Sequence, residues 1–135
     1  MSVVKEMLDT YPRDLGYIDK DTLAICIQAC VDCAQACTAC ADACLSEDMV
    51  AGLTKCIRSD LDCADICEAA GRVLSRHTGY DANITHAMLA ACATACQACG
   101  DECQLHADMH EHCRVCAEAC RRCEAACIDL FGTLG

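Results

Sequence analysis

Cysteines recur along one stretch of the chain at alternating intervals of four and three residues, beginning at Cys26 and ending at Cys44. Residues with this spacing occupy the a and d positions of a heptad, so they lie on one face of an α-helix and turn toward neighbouring helices. The positions beside them are mostly alanine, and polar residues such as Asp32 and Gln35 fall on the opposite face. The spacing therefore predicts a helix that points its thiols into a helical bundle.

Three later stretches of the chain repeat this spacing. Asp60 stands where the heptad would place a cysteine in the second stretch, and His106 follows the third stretch in phase. A core selected only for packing would use Leu, Ile and Val at these positions, because they bury more apolar area than cysteine. The four stripes therefore indicate a core built for its thiols, and they contain all 18 cysteines: Cys26, Cys30, Cys33, Cys37, Cys40, Cys44, Cys56, Cys63, Cys67, Cys92, Cys96, Cys99, Cys103, Cys113, Cys116, Cys120, Cys123 and Cys127.

Helix lengths and short loops predict an all-α fold. Four helices of about 22 to 30 residues make an antiparallel up-down-up-down four-helix bundle, with a short extra N-terminal helix before it. We expect a single domain over residues 1–135, with the N-terminal helix and linker in 1–18 and the cysteine-lined bundle in 19–132. Larger apolar residues expected in the core indicate a bundle that folds before any metal binds: Leu23, Ile57, Leu74, Leu89, Val115 and Leu130.

Capping signals predict where the long helices begin and end. Ser46 is expected to cap the second long helix, and Asn83 is expected to start the third. Gly79 fits a left-handed carboxyl cap after the second helix. An acidic capping box that begins at Asp108 restarts the chain as the fourth helix, which Gly132 ends.

Composition and charge exclude several classes of partner. A formal net charge of −11 repels phosphates and an aromatic content of 3% leaves few rings for base stacking, so nucleic acid is not an expected partner. Charged residues recur in the helical stretches, so no membrane span is predicted. The first residues lack the pattern of an export signal, and we therefore expect a cytoplasmic protein. Cytoplasmic thiols stay reduced, so the cysteines are interpreted as metal ligands.

Charge balance favours Cu(I) as the ion. A tetrahedral zinc site made of thiolates alone leaves surplus negative charge in the core, which is expensive to bury. A cuprous ion is soft and accepts two or three thiolates, and each ion replaces one thiol proton without changing the net charge. If each sulfur bridges two ions, capacity is roughly one copper per cysteine, on the order of 18 ions per chain. The sequence thus predicts high-capacity storage of Cu(I) in thiolate clusters.

The two ends of the predicted bundle differ in chemistry. One end collects weaker copper ligands and is the predicted mouth for the metal: Met49, His106, Met109, His110 and His112. His106 and His110 are in phase with the thiol stripe. His112 fits a solvated position at a helix end as well as it fits a metal ligand. The two methionines fit ordinary packing as well as they fit transient metal binding. The other end is the predicted apolar plug: Leu23, Leu74, Ile84 and Leu130.

Asp60 needs its own explanation, because a carboxylate that faces a thiol-lined core is costly unless it is paired. We expect this side chain to accept a thiol hydrogen bond, to contact a metal ion or to shape the first metal cluster.

Two other classes of function remain open. Zinc or cadmium sequestration uses the same ligands but needs about four thiolates for each ion. A thiol redox buffer needs one accessible cysteine of low pKa, and no cysteine is distinguished in that way. Iron–sulfur binding is disfavoured because ferredoxin cysteines lie close together in loops. We predict no enzyme, since no open metal site with a general base and no phosphate-cradling glycine loop is found.

The in-phase cysteine seams on four helices, preceded by a short helix, resemble the bacterial four-helix-bundle copper storage proteins over about residues 19 to 132. The apparent lack of an export signal makes the chain similar to the cytosolic branch of that family. The resemblance implies a homotetramer of bundles loaded with Cu(I), cysteine ligands, and a mouth at His106 and His110. It also implies a copper donor or acceptor as a partner. Asp60 departs from the cysteine pattern, and Ile25, Val31 and Leu61 are candidate contacts between copies.

Overall fold

The structure is a computed structural model, and it describes residues 2–134. The first helix, α1, spans Val3–Asp9. Its N-cap is Ser2, whose side-chain oxygen accepts a hydrogen bond from the Lys5 N–H at 3.2 Å. Leu8 is buried, and the Lys5 ammonium lies 2.9 Å from the Asp21 carboxylate. An apolar contact and an ion pair therefore attach this short helix to the start of the next one.

Four long helices follow, and within residues 2–134 there is no β-strand. Each of them packs against two others, so that they form a closed ring of neighbours around one axis. They are α2 (Lys20–Leu45), α3 (Thr54–Leu74), α4 (Ala82–His106) and α5 (Glu111–Thr133), with a 3₁₀ turn at Val50–Leu53 before α3.

Sulfur contacts fix the direction of the helices. Cys26 near the start of α2 lies 3.8 Å from Cys127 near the end of α5, and Cys40 near the end of α2 lies 3.8 Å from Cys113 near the start of α5. These two helices are therefore antiparallel neighbours. The predicted all-α, up-down-up-down bundle with an extra N-terminal helix is confirmed.

Two predicted starts of helices are wrong. Ser46 does not begin a helix. It is the C-cap of α2, and its backbone N–H donates to the carbonyls of Ala43 and Cys44. Its backbone stays close to helical, whereas an N-cap needs an extended conformation. At the next helix, the side chain of Asp81 accepts from the N–H of Asn83, so Asp81 is the cap and Asn83 lies inside α4.

Three other predicted boundaries also differ. The N-cap of α5 is His110, and no side-chain hydrogen bond caps it, so the capping box at Asp108 does not form. Gly132 lies inside α5, which continues to Thr133. Gly79 has the expected positive φ of 67°, but it lies in the loop after Leu74 rather than at the helix end.

The segment between α1 and α2 covers one end of the bundle. Leu15 is buried there, and the Tyr17 hydroxyl lies 3.0 Å from Nδ1 of His77. The Tyr11 hydroxyl lies 2.9 Å from the Thr78 hydroxyl. The segment is thus held to the loop between α3 and α4.

By length and composition alone, α2 is apolar enough to cross a membrane, with a mean hydropathy of 1.5 in its most apolar part. Asp32 and Asp42 nevertheless lie within this helix, so the expectation that charged residues recur along the helical stretches holds for α2 as well. Its apolar character comes from cysteine and alanine, and its six cysteines are buried against the other helices. The core helix of a water-soluble bundle has this same composition.

Candidate metal centre

The interior of the bundle is lined with sulfur. All 18 cysteines are free, and each is at most 2% exposed. The heptad prediction that the thiols point inward is confirmed by this burial.

Sulfurs from different helices lie in contact near the middle of the bundle. The Cys33 sulfur lies within 4.0 Å of the sulfurs of Cys37, Cys63, Cys96 and Cys120. The shortest contact joins Cys67 and Cys96, at 3.6 Å. A disulfide bond needs sulfurs about 2.05 Å apart. The core therefore contains separate thiols that are close enough to share ions.

Several sets of ligand atoms lie within 4.8 Å of one another along the axis. Some of these sets share cysteines, such as Cys33 and Cys63 or Cys37 and Cys120, so a metal held by one of them would be adjacent to a metal in the other. The sets made only of sulfur include Cys30, Cys92, Cys123 and Cys127; Cys33, Cys63, Cys67 and Cys96; Cys33, Cys37, Cys63 and Cys120; and Cys37, Cys99, Cys116 and Cys120.

Asp60 interrupts the sulfur lining on α3. It is fully buried, and its Oδ1 accepts hydrogen bonds from the thiols of Cys99 at 3.1 Å, Cys103 at 3.3 Å and Cys116 at 3.4 Å. Its other oxygen, Oδ2, has no hydrogen-bond partner among residues 2–134. Burial raises the pKa of this carboxyl above its usual value. Asp60 therefore offers a carboxylate oxygen to the thiol-lined interior.

Burial also keeps thiols near one end of the bundle protonated. It raises the pKa of Cys113 to about 12 and raises the pKa of Cys44. At neutral pH these two thiols are therefore uncharged, so they add no mutually repelling thiolate charges to the metal-free interior at this end. A metal ion that binds there must displace the thiol protons.

The histidines at this end make contacts that differ from those their phase suggested. His112 contacts thiols: its Nδ1 lies 3.3 Å from the Cys40 sulfur and 3.6 Å from the Cys113 sulfur. The contacts of the other two run to carboxylates instead. His110 lies 2.9 Å from Glu47, and His106 lies 3.1 Å from Glu102. The residue out of phase with the stripe is thus the one in contact with the sulfurs.

Met49 and Met109 are at the predicted end but mostly face solvent, with exposures of 62% and 68%. The structure therefore brings them to the surface of this end rather than into the thiol sets.

Glu47 is a polar residue of this end that was not predicted as a site residue. Its Oε2 lies 2.8 Å from Nε2 of His112 as well as 2.9 Å from Nδ1 of His110. The hydrogen bond from His112 lowers the pKa of this carboxyl. The only indication of this contact in the sequence is that Glu47 and these histidines lie near chain connections at the same predicted end of the bundle.

The opposite end is closed by leucines. Leu23, Leu74 and Leu130 are buried as predicted, and Leu89 is buried with them. Ile84 is 58% exposed, so the prediction that it belongs to this apolar layer is wrong. The next residue of the same turn, Thr85, is buried, so Ile84 lies on the outer side of α4.

Val115 was also expected in the core, but it is 48% exposed. It precedes Cys116, whose inward position turns Val115 away from the axis.

Known proteins resemble this chain along most of its length. The profile of the copper storage protein family matches residues 19–132. The copper storage protein of Streptomyces lividans, in a structure loaded with 10 copper equivalents, is 67% identical with a TM-score of 0.96, over 98% of this chain and 100% of that one. A comparison with curated proteins found no match.

Two further structures give the same result. A cytosolic copper storage protein from Streptomyces lividans with five coppers is 70% identical with a TM-score of 0.84, over 85% of this chain and 96% of that one. The copper-free copper storage protein 3 of Bacillus subtilis is 38% identical with a TM-score of 0.66, over 82% of this chain and 96% of that one. The chain belongs to the copper storage protein family.

Proposed function

We propose that this chain stores Cu(I) in the cytosol by binding it to the thiolates of its 18 cysteines. The observation that carries the proposal is the set of 18 buried, free thiols, most of whose sulfurs lie 3.6 to 4.0 Å from the sulfur of another cysteine. Capacity is roughly one ion per cysteine, because each sulfur is close enough to its neighbours to bridge two ions.

Charge neutrality supports Cu(I) over divalent ions. Each bound Cu(I) replaces one thiol proton, which leaves for solvent, so the core gains a positive ion and loses a positive charge. No redox change is needed. A divalent ion held by four thiolates would bury two surplus negative charges, which the leucine-capped interior does not compensate.

The same geometry supports an assignment of the residues that would bind the metal. We infer that the cysteines are the storage ligands and that the metal enters at the end that contains His106, His110 and His112. Met49 and Met109 are exposed there and would hold an ion only transiently. Asp60 supplies an oxygen to the thiol sets and is proposed to shape the first cluster. If Asp60→Ala changed neither the capacity nor the rate of loading, that role for Asp60 would be excluded.

The storage role of the family is non-catalytic, and we propose the same for this chain. We also propose that it works as a homotetramer that exchanges copper with a donor or acceptor protein. Ile25, Val31 and Leu61 support contacts between copies, because they are 64%, 50% and 47% exposed. Sedimentation of the metal-free protein, compared with a variant that carries Ile25→Glu, Val31→Glu and Leu61→Glu, tests this assembly.

Anaerobic titration of the reduced protein tests the proposed function. Cu(I) is added in steps, bound metal per chain is measured, and the same titration is made with Zn(II). We expect Cu(I) to saturate at roughly 18 ions and Zn(II) at about four or five. A plateau near four or five for both metals would favour the zinc or cadmium alternative. Rapid conversion of the thiols to disulfides by mild oxidants, with little metal bound, would favour the redox buffer.

A further inference from the structure

Glu47 connects two histidines at the end where the metal is proposed to enter. It follows the last turn of α2, and its Oε2 lies 2.8 Å from Nε2 of His112 and 2.9 Å from Nδ1 of His110. The two imidazole rings are stacked, with centroids 5.6 Å apart and an angle of 20° between their planes. One carboxylate oxygen thus holds both rings in a fixed arrangement.

This arrangement determines which ring nitrogen carries the proton. An ionised carboxylate only accepts hydrogen bonds, so the nitrogen that faces it must be N–H. In neutral His112 the proton therefore resides on Nε2, and Nδ1 keeps its lone pair. That lone pair lies 3.3 Å from the Cys40 sulfur and 3.6 Å from the Cys113 sulfur.

The lone pair and these sulfurs form a mixed set of ligands at the edge of the thiol core. Nδ1 of His112 and the sulfurs of Cys40, Cys44 and Cys113 all lie within 4.8 Å of one another. The three sulfurs are buried, whereas the His112 side chain is 27% exposed. Solvent therefore reaches the set through its histidine.

We propose that Glu47 is a positioning residue for copper uptake: it fixes the tautomer of His112, so that Nδ1 receives incoming Cu(I) together with the Cys40 and Cys113 sulfurs. The inference rests on the proposed storage of Cu(I). Binding releases one thiol proton to solvent, the proton on Nε2 of His112 stays in place, and the oxidation state of copper does not change. A carboxylate that orients a histidine ligand typically contributes 10- to 100-fold to metal affinity or activity, by about this mechanism.

Asp48 provides a matched control for the variant Glu47→Ala. It is the next residue in the same turn, it is exposed, and Asp48→Ala removes the same charge. Cu(I) is supplied from a glutathione complex, and uptake is followed in a stopped-flow instrument by the ultraviolet absorption of the thiolate–Cu(I) bonds. We expect Glu47→Ala to load about ten-fold more slowly than Asp48→Ala. Final capacity should be the same in both, and Glu47→Gln should lie between.

Two further measurements separate positioning from a general loss of structure. The ¹⁵N shifts of His112, assigned by comparison with His112→Ala, should report a proton on Nε2 in the parent and a mixture of tautomers in Glu47→Ala. In a double-mutant cycle, Glu47→Ala should add little to the effect of His112→Ala, because both remove the same ligand geometry.

The inference is overturned if Glu47→Ala loads at the rate of Asp48→Ala, if the His112 tautomer is unchanged, or if the two effects add in full. Such results leave the storage proposal intact, provided that the parent protein still saturates with Cu(I). A parent that fails to bind more than a few ions overturns the storage proposal itself.

Discussion

The Oδ1 atom of Asp60 lies 3.1 Å from the sulfur of Cys99, inside a core that is otherwise lined with thiols. The thiol donates to the carboxyl oxygen, and two further thiols do the same, but Oδ2 has no partner among residues 2–134. A carboxyl group is therefore kept in a place where its charged form is poorly solvated. Such a group is costly for the stability of the metal-free protein.

Replacing Asp60 by Asn should stabilise the metal-free protein at neutral pH. Burial raises the pKa of Asp60 in the folded state, so the folded protein holds its carboxyl proton more tightly than the unfolded chain does. Its contribution is therefore most favourable below the unfolded pKa and is lost as pH rises through the folded pKa. We expect Asp60→Asn to gain about 1 to 3 kcal/mol at pH 7, with a smaller gain toward pH 4.

Urea unfolding of the reduced, metal-free protein at several pH values measures this gain. Asp65→Asn is the matched control, since Asp65 is an exposed residue of the same helix. A gain that is equal at all pH values, or equal in the two variants, would contradict the assignment to the Asp60 carboxyl.

The seven-residue repeat made the interior predictable. A cysteine at each a and d position of α2 leaves that face only one direction in which to pack, so the sulfurs of Cys26 through Cys44 had to meet those of other helices. The same argument placed Asp60 inside, although it did not reveal which thiols would donate to it. Periodicity constrains which residues are buried, but not which atoms are partners.

Side-chain positions at the ends of the helices were less predictable, because the heptad phase does not indicate there which side chains point toward the axis. His112 lies in the first turn of α5, where side chains lean toward the helix N-terminus, and this direction takes its ring to Cys40 of α2. Its hydrogen bond to Glu47 joins residues far apart in the chain, so the helical spacing of the sequence did not predict it. Ser46 illustrates the same limit: a capping residue beside a loop does not reveal whether it ends one helix or begins the next.

The sulfur network predicts unequal losses of copper capacity. Cys33 contacts sulfurs on all three other long helices, whereas Cys44 belongs to the mixed set with His112. We expect Cys33→Ala to lose more than one Cu(I) per chain, because neighbouring sulfurs lose a bridging partner, and Cys44→Ala to lose about one. Saturating titration with Cu(I) measures both. Equal losses would mean that each cysteine binds its ion independently.

Two helical glycines should respond differently to an added methyl group. A Cβ added at Gly71 would meet the Cys30 Cβ at 3.7 Å, an ordinary contact, whereas at Gly100 it would meet the Arg121 guanidinium at 3.0 Å. We expect Gly71→Ala to stabilise the protein by about 0.5 to 1 kcal/mol, because alanine loses less backbone entropy in a helix. Gly100→Ala should gain less, because Arg121 must move and its 2.7 Å bond to Asp101 is disturbed.

Thermal unfolding of the two metal-free variants measures this difference. Arg121→Ala in the Gly100→Ala background provides the control, since without that side chain the methyl group meets no guanidinium. If Gly100→Ala is as stabilising as Gly71→Ala, the packing of Arg121 over Gly100 is not maintained in solution.

The leucine layer should determine stability without determining copper capacity. Leu130 is fully buried, as are Leu23, Leu74 and Leu89, at the end opposite His106, His110 and His112. Leu130→Ala removes buried apolar area and leaves a cavity, so we expect a loss of about 2 to 5 kcal/mol in the metal-free protein. Because bound metal stabilises only the folded state, the loaded variant should recover much of this loss. Chemical unfolding with and without Cu(I), together with titration to saturation, measures both effects. Ile84→Ala, at an exposed position of the same end, is the control and should change neither stability nor capacity. A capacity that falls along with stability in Leu130→Ala would mean that the leucines help to shape the thiol sites.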